Sequence, residues 1–378
     1  MNQQSFTLTE FQGENWFLAF RQEWHELWEE SVDSTQFQLW SWQYAYWKNI
    51  TPDAVPHFFV LRNAAGRMKV IALLVCSRDP ANGTKALGFV GGRLSDYNML
   101  LSGNDVPVQE GRRVLSRIFG KFRWRFPSIK LLNVPMNSWA GQVLSDYLPD
   151  LVDCSRVCTI SYGESHAVLL PKTIDDYVNS LSQRARRHFG YERRRLSQAC
   201  RVEFKVFEKP DGLSVILDQI EKIDLARWGS DSKYRRPARR NFERSFIESL
   251  ADAGKLVVFI LYLDGVAASF AWGAVVRGRV EVNRIAYDPG FPSKLSVGKV
   301  ANFYAVEECI RRGYVEFDLT RGGEMYKSWL GATPSKLLSV EIFRSRLDSL
   351  IQQLGYKVAD FVRRQNWLKQ FYRKYISR

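Results

Sequence analysis

Cysteine and histidine are scarce in this chain of 378 residues, with five of the first and four of the second. The cysteines, Cys76, Cys154, Cys158, Cys200 and Cys309, are odd in number and scattered. Cys154 and Cys158 are the one close pair, and no second pair or neighbouring histidine completes a zinc-ligand set. His166 and His188 have no serine–aspartate or metal-ligand partner at useful spacing, so neither a nucleophilic triad nor a metal site is expected. No apolar run approaches the ~20 residues needed to span a bilayer. Met1 to Glu10 is polar and lacks the basic and apolar regions of a signal peptide. Reduced thiols and a cytoplasmic location are the corresponding expectations. Low-complexity segments and an obvious flexible linker are also missing.

What is present in excess is positive charge: 54 Lys and Arg against 40 Asp and Glu, a formal +14 with a pI near 9.6. Such a balance favours anionic partners, among them nucleotides, nucleic acid, acidic glycans and lipid headgroups, without choosing among them. The apolar fraction of 46% is ordinary for globular protein, and the length suggests two domains at about 150 residues each.

Hydrophobic periodicity divides the chain into two halves with the same order of elements. Phe17, Phe20, Trp24, Leu27 and Trp28 mark an amphipathic helix over 13–30, a core stripe in expectation. Strands over 57–62 and 68–76 flank a hairpin loop, and another covers 85–91. A helix at 111–126, a strand at 129–134 and a helix at 137–148 follow, then a strand at 156–161. The second half opens with a strand at 166–170, a helix over 175–199 and a strand at 202–207. Helices over 211–228 and 237–253 come next. Strands 255–263 and 266–276 flank Asp264-Gly265, a strong hairpin signal. Strand 279–287, helix 296–312, strand 314–319, a short helix at 324–330 and a strand at 336–344 complete it. Hairpin 57–76 answers hairpin 255–276, strand 85–91 answers 279–287, and 111–134 answers 297–319. Consecutive strands joined by a crossover helix imply a partly parallel sheet in each half. The expected division is 1–165, 166–345 and a basic C-terminal helix over 346–378.

In that last piece apolar residues recur at helical spacing from Leu347 to Tyr375, and 357–378 holds seven Lys or Arg against one acid, Asp360. A basic amphipathic helix can lie on anionic lipid. The plainer expectation is a helix docked on the body with a solvated basic face.

The stretch that carries chemistry is 279–331. It reads as a strand ending in Tyr287-Asp288-Pro289-Gly290, a turn at Ser296-Val297-Gly298 opening a helix, a strand Phe317-Asp318-Leu319-Thr320, a Gly322-Gly323 turn and a helix with Tyr326-Lys327. A turn opening a helix leaves backbone N–H groups unpaired at the positive end of the dipole, a ready site for a diphosphate. Gly298 allows close approach, and Lys294 and Lys299 add charge beside it.

Strand, phosphate-binding turn, helix and neighbouring strand is the order in which the GNAT superfamily holds acyl-CoA, and the chain resembles the CelD-type acetyltransferases of that superfamily. The matching pieces are Leu87-Gly88-Phe89-Val90-Gly91, Ser95-Asp96-Tyr97, Tyr177, Leu181-Ser182, the helix with Arg186-Arg187 and Arg193-Arg194-Arg195, Arg227-Trp228, Phe242, Leu263-Asp264-Gly265, Tyr287-Asp288-Pro289, Ser296, Gly298, Phe317 through Gly322, and Tyr326-Lys327. They run in family order over almost the whole chain except the C-terminal helix. The usual Gln/Arg-x-x-Gly-x-Gly/Ala turn reads Ser293-x-x-Ser296-x-Gly298 here, without its first glycine. Tyr326-Lys327 also resembles the aromatic–lysine pair of the FemAB-type transferases, tandem GNAT-like proteins that take aminoacyl-tRNA.

The resemblance implies an α/β (α+β) protein of two tandem GNAT-like domains with mixed, partly parallel sheets. It implies an acyltransferase using acetyl-CoA or another acyl-CoA, with a degenerate cofactor site in the first half. The acceptor would be an amine or hydroxyl of a sugar, a lipid or an envelope polysaccharide precursor. Asp318 is the candidate base or acceptor-binding carboxylate, Glu281 a water-mediated base, and Tyr326 the acid for the leaving thiolate. Ser296, Val297, Gly298, Lys299, Lys294, Ala286 and Tyr287 are candidates for the cofactor. Arg321, Lys327, Arg187 and Arg194 are candidates for the acceptor. A tRNA-dependent transferase and a non-catalytic polyanion-binding protein are the rival expectations; for the latter, the arginine-rich stretch 184–195 and the basic stretch 233–244 would do the binding.

Overall fold

The computed structural model describes residues 5–78, 83–151, 158–208 and 212–364. Cys154, residues 156–157 and the end of the basic helix lie outside them. In chain order the elements are β1 (Phe6–Gln12), α1 (Asn15–Ala19), α2 (Arg21–Glu30), α3 (Trp40–Ile50), β2 (Pro56–Asn63), β3 (Met68–Arg78), β4 (Lys85–Phe89), β5 (Leu101–Ser102), α4 (Val108–Phe122), β6 (Ser128–Pro135), α5 (Trp139–Leu151) and β7 (Cys158–Leu169). There follow α6 (Ile174–Ser180), α7 (Gln183–Ala199), β8 (Val202–Phe207), α8 (Leu213–Trp228), α9 (Pro237–Asp252), β9 (Leu256–Leu263), β10 (Val266–Val276), β11 (Arg279–Tyr287), α10 (Val297–Arg311), β12 (Glu316–Arg321), α11 (Met325–Trp329), β13 (Thr333–Phe343) and α12 (Arg346–Arg364). They form two compact units, one of 1–33, 53–162 and 338–378, the other of 34–52 and 163–337.

In the first unit β1, β2, β3 and β4 are antiparallel neighbours, and β6 joins β4 in parallel. The stripe from Phe17 to Trp28 is buried, with the Phe17 ring edge-on to Phe58 of β2 at 5.1 Å. The helix expected over 13–30 breaks at Phe20 into α1 and α2 without moving that stripe.

In the second unit the neighbours run β7, β12, β11, β10, β9, β8, with β11 and β12 parallel and the other pairs antiparallel. Consecutive strand residues point to opposite faces. Ala271 therefore packs into a core with Phe189 of α7 and Phe303 of α10, while Trp272 meets Phe246 of α9. Helix α3 lies on the Trp272 side, its Trp42 edge-on to Phe242 at 5.6 Å.

Two boundaries differ from expectation. Residues 158–169 form a single strand, with Gly163 inside it, where two were expected. The helix expected over 175–199 is two helices. Leu181 and Ser182 are extended, and the Ser182 hydroxyl accepts the Ala185 N–H at 3.2 Å, restarting the helix as an N-cap. Cys76, Cys200 and Cys309 are free thiols.

Candidate active site

The centre of the second unit is the parallel pair β11–β12. Register holds at three positions, Arg279 with Glu316, Val280 with Phe317 and Glu281 with Asp318. Beyond them β11 runs on to Tyr287 and β12 to Arg321 without pairing to each other. Both strands carry irregularities where they part. On β11, Trp272 of β10 faces Arg284 and Gly273 faces Val282, so Asn283 is an inserted residue, a β-bulge that bends its strand. Gly273 is required there, since a Cβ on it would lie 2.0 Å from the Glu281 carbonyl oxygen. On β12, pairing to β7 is disturbed between Asp318 and Arg321, and Thr320 has φ 56°.

Glu281 is buried at the point of divergence. Its Oε2 accepts the main-chain N–H of Gln36 at 2.7 Å, and its carbonyl oxygen accepts Gln36 Nε2 at 2.8 Å. Arg279 Nη2 reaches Oε1 at 3.2 Å. Burial pushes the Glu281 carboxyl up to about 8; Arg279 and the Gln36 N–H oppose this, while Asp318 and Glu316 add to it. At neutral pH the group mostly keeps its proton. Asp318, its register partner, is also buried, and Oδ1 accepts the Thr320 N–H at 2.7 Å. The carboxylate thus holds the irregular end of β12 at Thr320.

Tyr326, on α11, is half-buried, and burial beside the Glu324 carboxylate raises its phenol above the ordinary range, so it stays protonated. Lys327 is buried; its Nζ donates to the carbonyls of Thr320 and Arg321 at 3.1 and 3.0 Å and lies 3.1 Å from Glu324 Oε2. Its ammonium is engaged in holding the backbone of the Gly322-Gly323 turn.

At the start of α10, Ser296 takes φ 51° and ψ 36°, the left-handed region that favours glycine, and its side chain caps nothing. Serine thus holds the conformation of the missing first glycine. The first helical bonds run from Lys299 and Val300 N–H to the Ser296 carbonyl, at 3.0 and 3.1 Å. Val297 and Gly298 N–H have no protein partner among the described residues. A Cβ on Gly298 would lie 2.7 Å from the Tyr287 ring, whose face carries the Arg227 guanidinium at 4.5 Å. Ala286 is buried on β11. Lys294 and Lys299 are exposed, and Lys299 Nζ lies 4.8 Å over the ring of Trp329.

A small cleft lies between α7, α10 and α11, and Glu281, Asp318, Tyr287 and Gly298 do not line it. Phe189, Lys299, Asn302, Tyr326, Trp329 and Leu330 line it. Asn302 is buried, and its carboxamide oxygen has no hydrogen-bond partner. Sequence reasoning missed Asn302, Trp329, Gln36 and Gly273. The signal for Asn302 is its place one turn after Gly298 and Lys299, a polar residue on an inward line of a helix. Arg187 and Arg194 lie exposed on α7 with no ion-pair partner among the described residues, and neither lines the cleft. Among the described residues no group of three His, Cys, Asp or Glu side chains is placed to hold a metal ion.

Residues 183–328 match the family of acetyltransferase (GNAT) domains. That span takes in α7, the parted strands, the α10 turn and most of α11. No curated protein is significantly similar in sequence. Among solved structures, FemX has a TM-score of 0.58 at 12% identity, with 89% of this chain and 98% of that one covered. The C-terminal domain (DUF2156) of a putative lysylphosphatidylglycerol synthetase from Agrobacterium fabrum gives 0.55 at 10%, covering 90% and 96%. A tandem GNAT protein from the clavulanic acid biosynthesis pathway gives 0.50 at 9%, covering 90% and 99%. At such identities the likeness is one of fold: the chain is a mixed α/β protein of tandem GNAT-like architecture.

Proposed function

We propose that the chain is an acyltransferase that draws an acyl group from acyl-CoA, acetyl-CoA in the first instance, and passes it to an amine or hydroxyl by direct attack. The observation that carries this reading is the parting of β11 from β12 after Glu281 and Asp318, which leaves an unpaired strand edge above the helix turn. Exposed strand groups suit the amides of an extended arm, the physics of strand addition. The free N–H groups of Val297 and Gly298 suit a diphosphate, while the bare Cα of Gly298 makes room for the Tyr287 ring. Ser296, Lys294 and Lys299 would flank that group, with Ala286 and Tyr287 on the strand side. The thioester supplies an activated carbonyl.

Of the chain's own residues, Glu281 holds a proton at neutral pH and takes one up from the acceptor, through water, once ionised. Asp318 orients the acceptor or fixes the turn beside it. Tyr326, protonated throughout, donates to the leaving group. Arg321, Lys327, Arg187 and Arg194 remain the proposed acceptor-side cations, Lys327 acting through the backbone it holds. A sugar, lipid or envelope polysaccharide precursor is the proposed acceptor class.

The first unit supports a division of labour. There β4 and β6 also pair at only three positions, Ala86 with Ser128 to Gly88 with Lys130. Yet α4 follows Pro107 and has Glu110 in its first turn, where the first turn of α10 has no acid. A carboxylate there repels a diphosphate, so we assign donor binding to the second unit.

Thermal unfolding with acetyl-CoA, free CoA and bulk tRNA compared side by side tests the reading. A ligand at about 100 times its Kd stabilises by ~2.7 kcal/mol. Acetyl-CoA should raise the Tm; a shift with tRNA alone would replace it by the tRNA-dependent reading, and no shift with either would end it.

A further inference from the structure

The C-terminal helix was expected to dock on the body with its basic face solvated; α12 also leaves an apolar line uncovered. Leu347, Leu350, Ile351, Leu354, Val358 and Phe361 are each between 50% and 66% exposed. Their spacings of 3, 4 and 7 place them on one line of the helix. The helix is seated by another side: Gln352 is buried and accepts the Thr84 hydroxyl at 2.8 Å. Its position lies well over a quarter turn from the apolar line, at about 100° per residue. A core helix does the reverse, burying its leucines and exposing its glutamines. Among the described residues nothing covers the stripe.

Charge indicates what does. From Arg346 to the end the sequence has eight Lys or Arg against two acids, Asp348 and Asp360. Arg346 and Lys357, both exposed, are eleven residues apart, three helical turns, and so run along one flank of the stripe. An apolar line edged by cations matches an anionic bilayer surface, where leucine and phenylalanine enter the acyl boundary and the cations meet headgroup phosphates. A second copy of the chain would bring the same positive charge onto itself. No helix among the described residues is long and apolar enough to cross a membrane.

We infer that α12 lies in the plane of an anionic membrane and holds the first unit against it. This is independent of the reading of the acyl site.

Flotation of the full chain with vesicles tests it, comparing phosphatidylglycerol/phosphatidylcholine mixtures with phosphatidylcholine alone. Binding to the mixed vesicles is expected, weakening as salt shortens the Debye length from about 10 Å at 0.1 M. The variant Leu350→Glu/Leu354→Glu should bind at least about tenfold more weakly, since both side chains lose their transfer into the bilayer. Its Tm and any acetyl-CoA shift should match those of the unaltered chain, because these residues touch no core. Equal binding by the variant, or no binding by the unaltered chain, would overturn the inference. So would a dimer in sedimentation velocity that the variant dissolves while neither protein floats; the stripe would then be a face between copies.

Discussion

Gln36 and Glu281 are bound to each other twice, main-chain N–H to carboxylate and side-chain amide to carbonyl, across 245 positions of sequence. Gln36 is fully buried, and its segment counts with the second unit. Gln36→Leu keeps the main-chain donor and removes the side-chain one, so the Glu281 carbonyl loses its bond to the Gln36 amide. The expected cost is about 1–3 kcal/mol in chemical denaturation. If the pair positions the carboxylate for proton transfer, kcat should also fall in the folded variant while KM for acyl-CoA holds. An unchanged kcat would make Gln36 a core residue and nothing more.

The proton on Glu281 gives a pH signature with a definite sign. The carboxyl is raised from 4.5 to about 8 by burial. Between those values the native state keeps a proton that the unfolded chain has lost, so stability falls as pH rises through the interval. Glu281→Gln mimics the protonated form. Its Tm should exceed that of the unaltered protein at pH 8 and converge with it near pH 4.5. In activity the unaltered protein should climb toward a plateau above about pH 8, and the variant should lack that limb. Parallel Tm curves for the two proteins would show that the carboxyl titrates normally.

Gly298 and Tyr287 form a second testable pair. A methyl at 298 would meet the Tyr287 ring at 2.7 Å, and the ring is itself under Arg227. Gly298→Ala should cost about 1–3 kcal/mol by overpacking, and Gly298→Trp should abolish any Tm shift with acetyl-CoA. In the double variant with Tyr287→Ala, the obstacle is gone. A coupling of about 1 kcal/mol or more is expected in the cycle. Strict additivity would mean that something other than Tyr287 forbids a side chain there.

Most of this architecture is legible in the sequence because it rests on local signals. Asp264-Gly265 sets one hairpin, and near-continuous apolar runs set its strands β9 and β10. Ser296 and Gly298 announce a turn, and the order of strand, turn, helix and strand carries the GNAT likeness. What stays hidden depends on distant partners. Nothing near Glu281 reveals that Gln36 will bury it. The break at Leu181-Ser182 is invisible because apolar residues continue in helical phase across it, and only the Ser182 cap decides. Periodicity gives α12 as a helix but cannot tell which face is docked, and Gln352 is the unexpected one. Lys327, expected to meet the acceptor, donates to carbonyls that a one-dimensional pattern does not show.

Lys327 supplies the sharpest contrast between holding a site and touching its ligand. Thr320 sits at φ 56°, a region that costs a non-glycine residue about 1–2 kcal/mol. It is pinned from both sides, its N–H by Asp318 and its carbonyl by Lys327. Lys327→Met removes the second tie and leaves two carbonyls without their donor. It should lower stability by about 1–3 kcal/mol and depress kcat with it. Asp318→Asn keeps an acceptor for the Thr320 N–H, so it should stay within about 1 kcal/mol while turnover falls. Tyr326→Phe removes only a hydroxyl and should lower kcat with the Tm unchanged. Were Lys327→Met as stable as the unaltered chain, with only the acceptor's KM raised, the lysine would be an acceptor contact and the pinning of Thr320 would not matter.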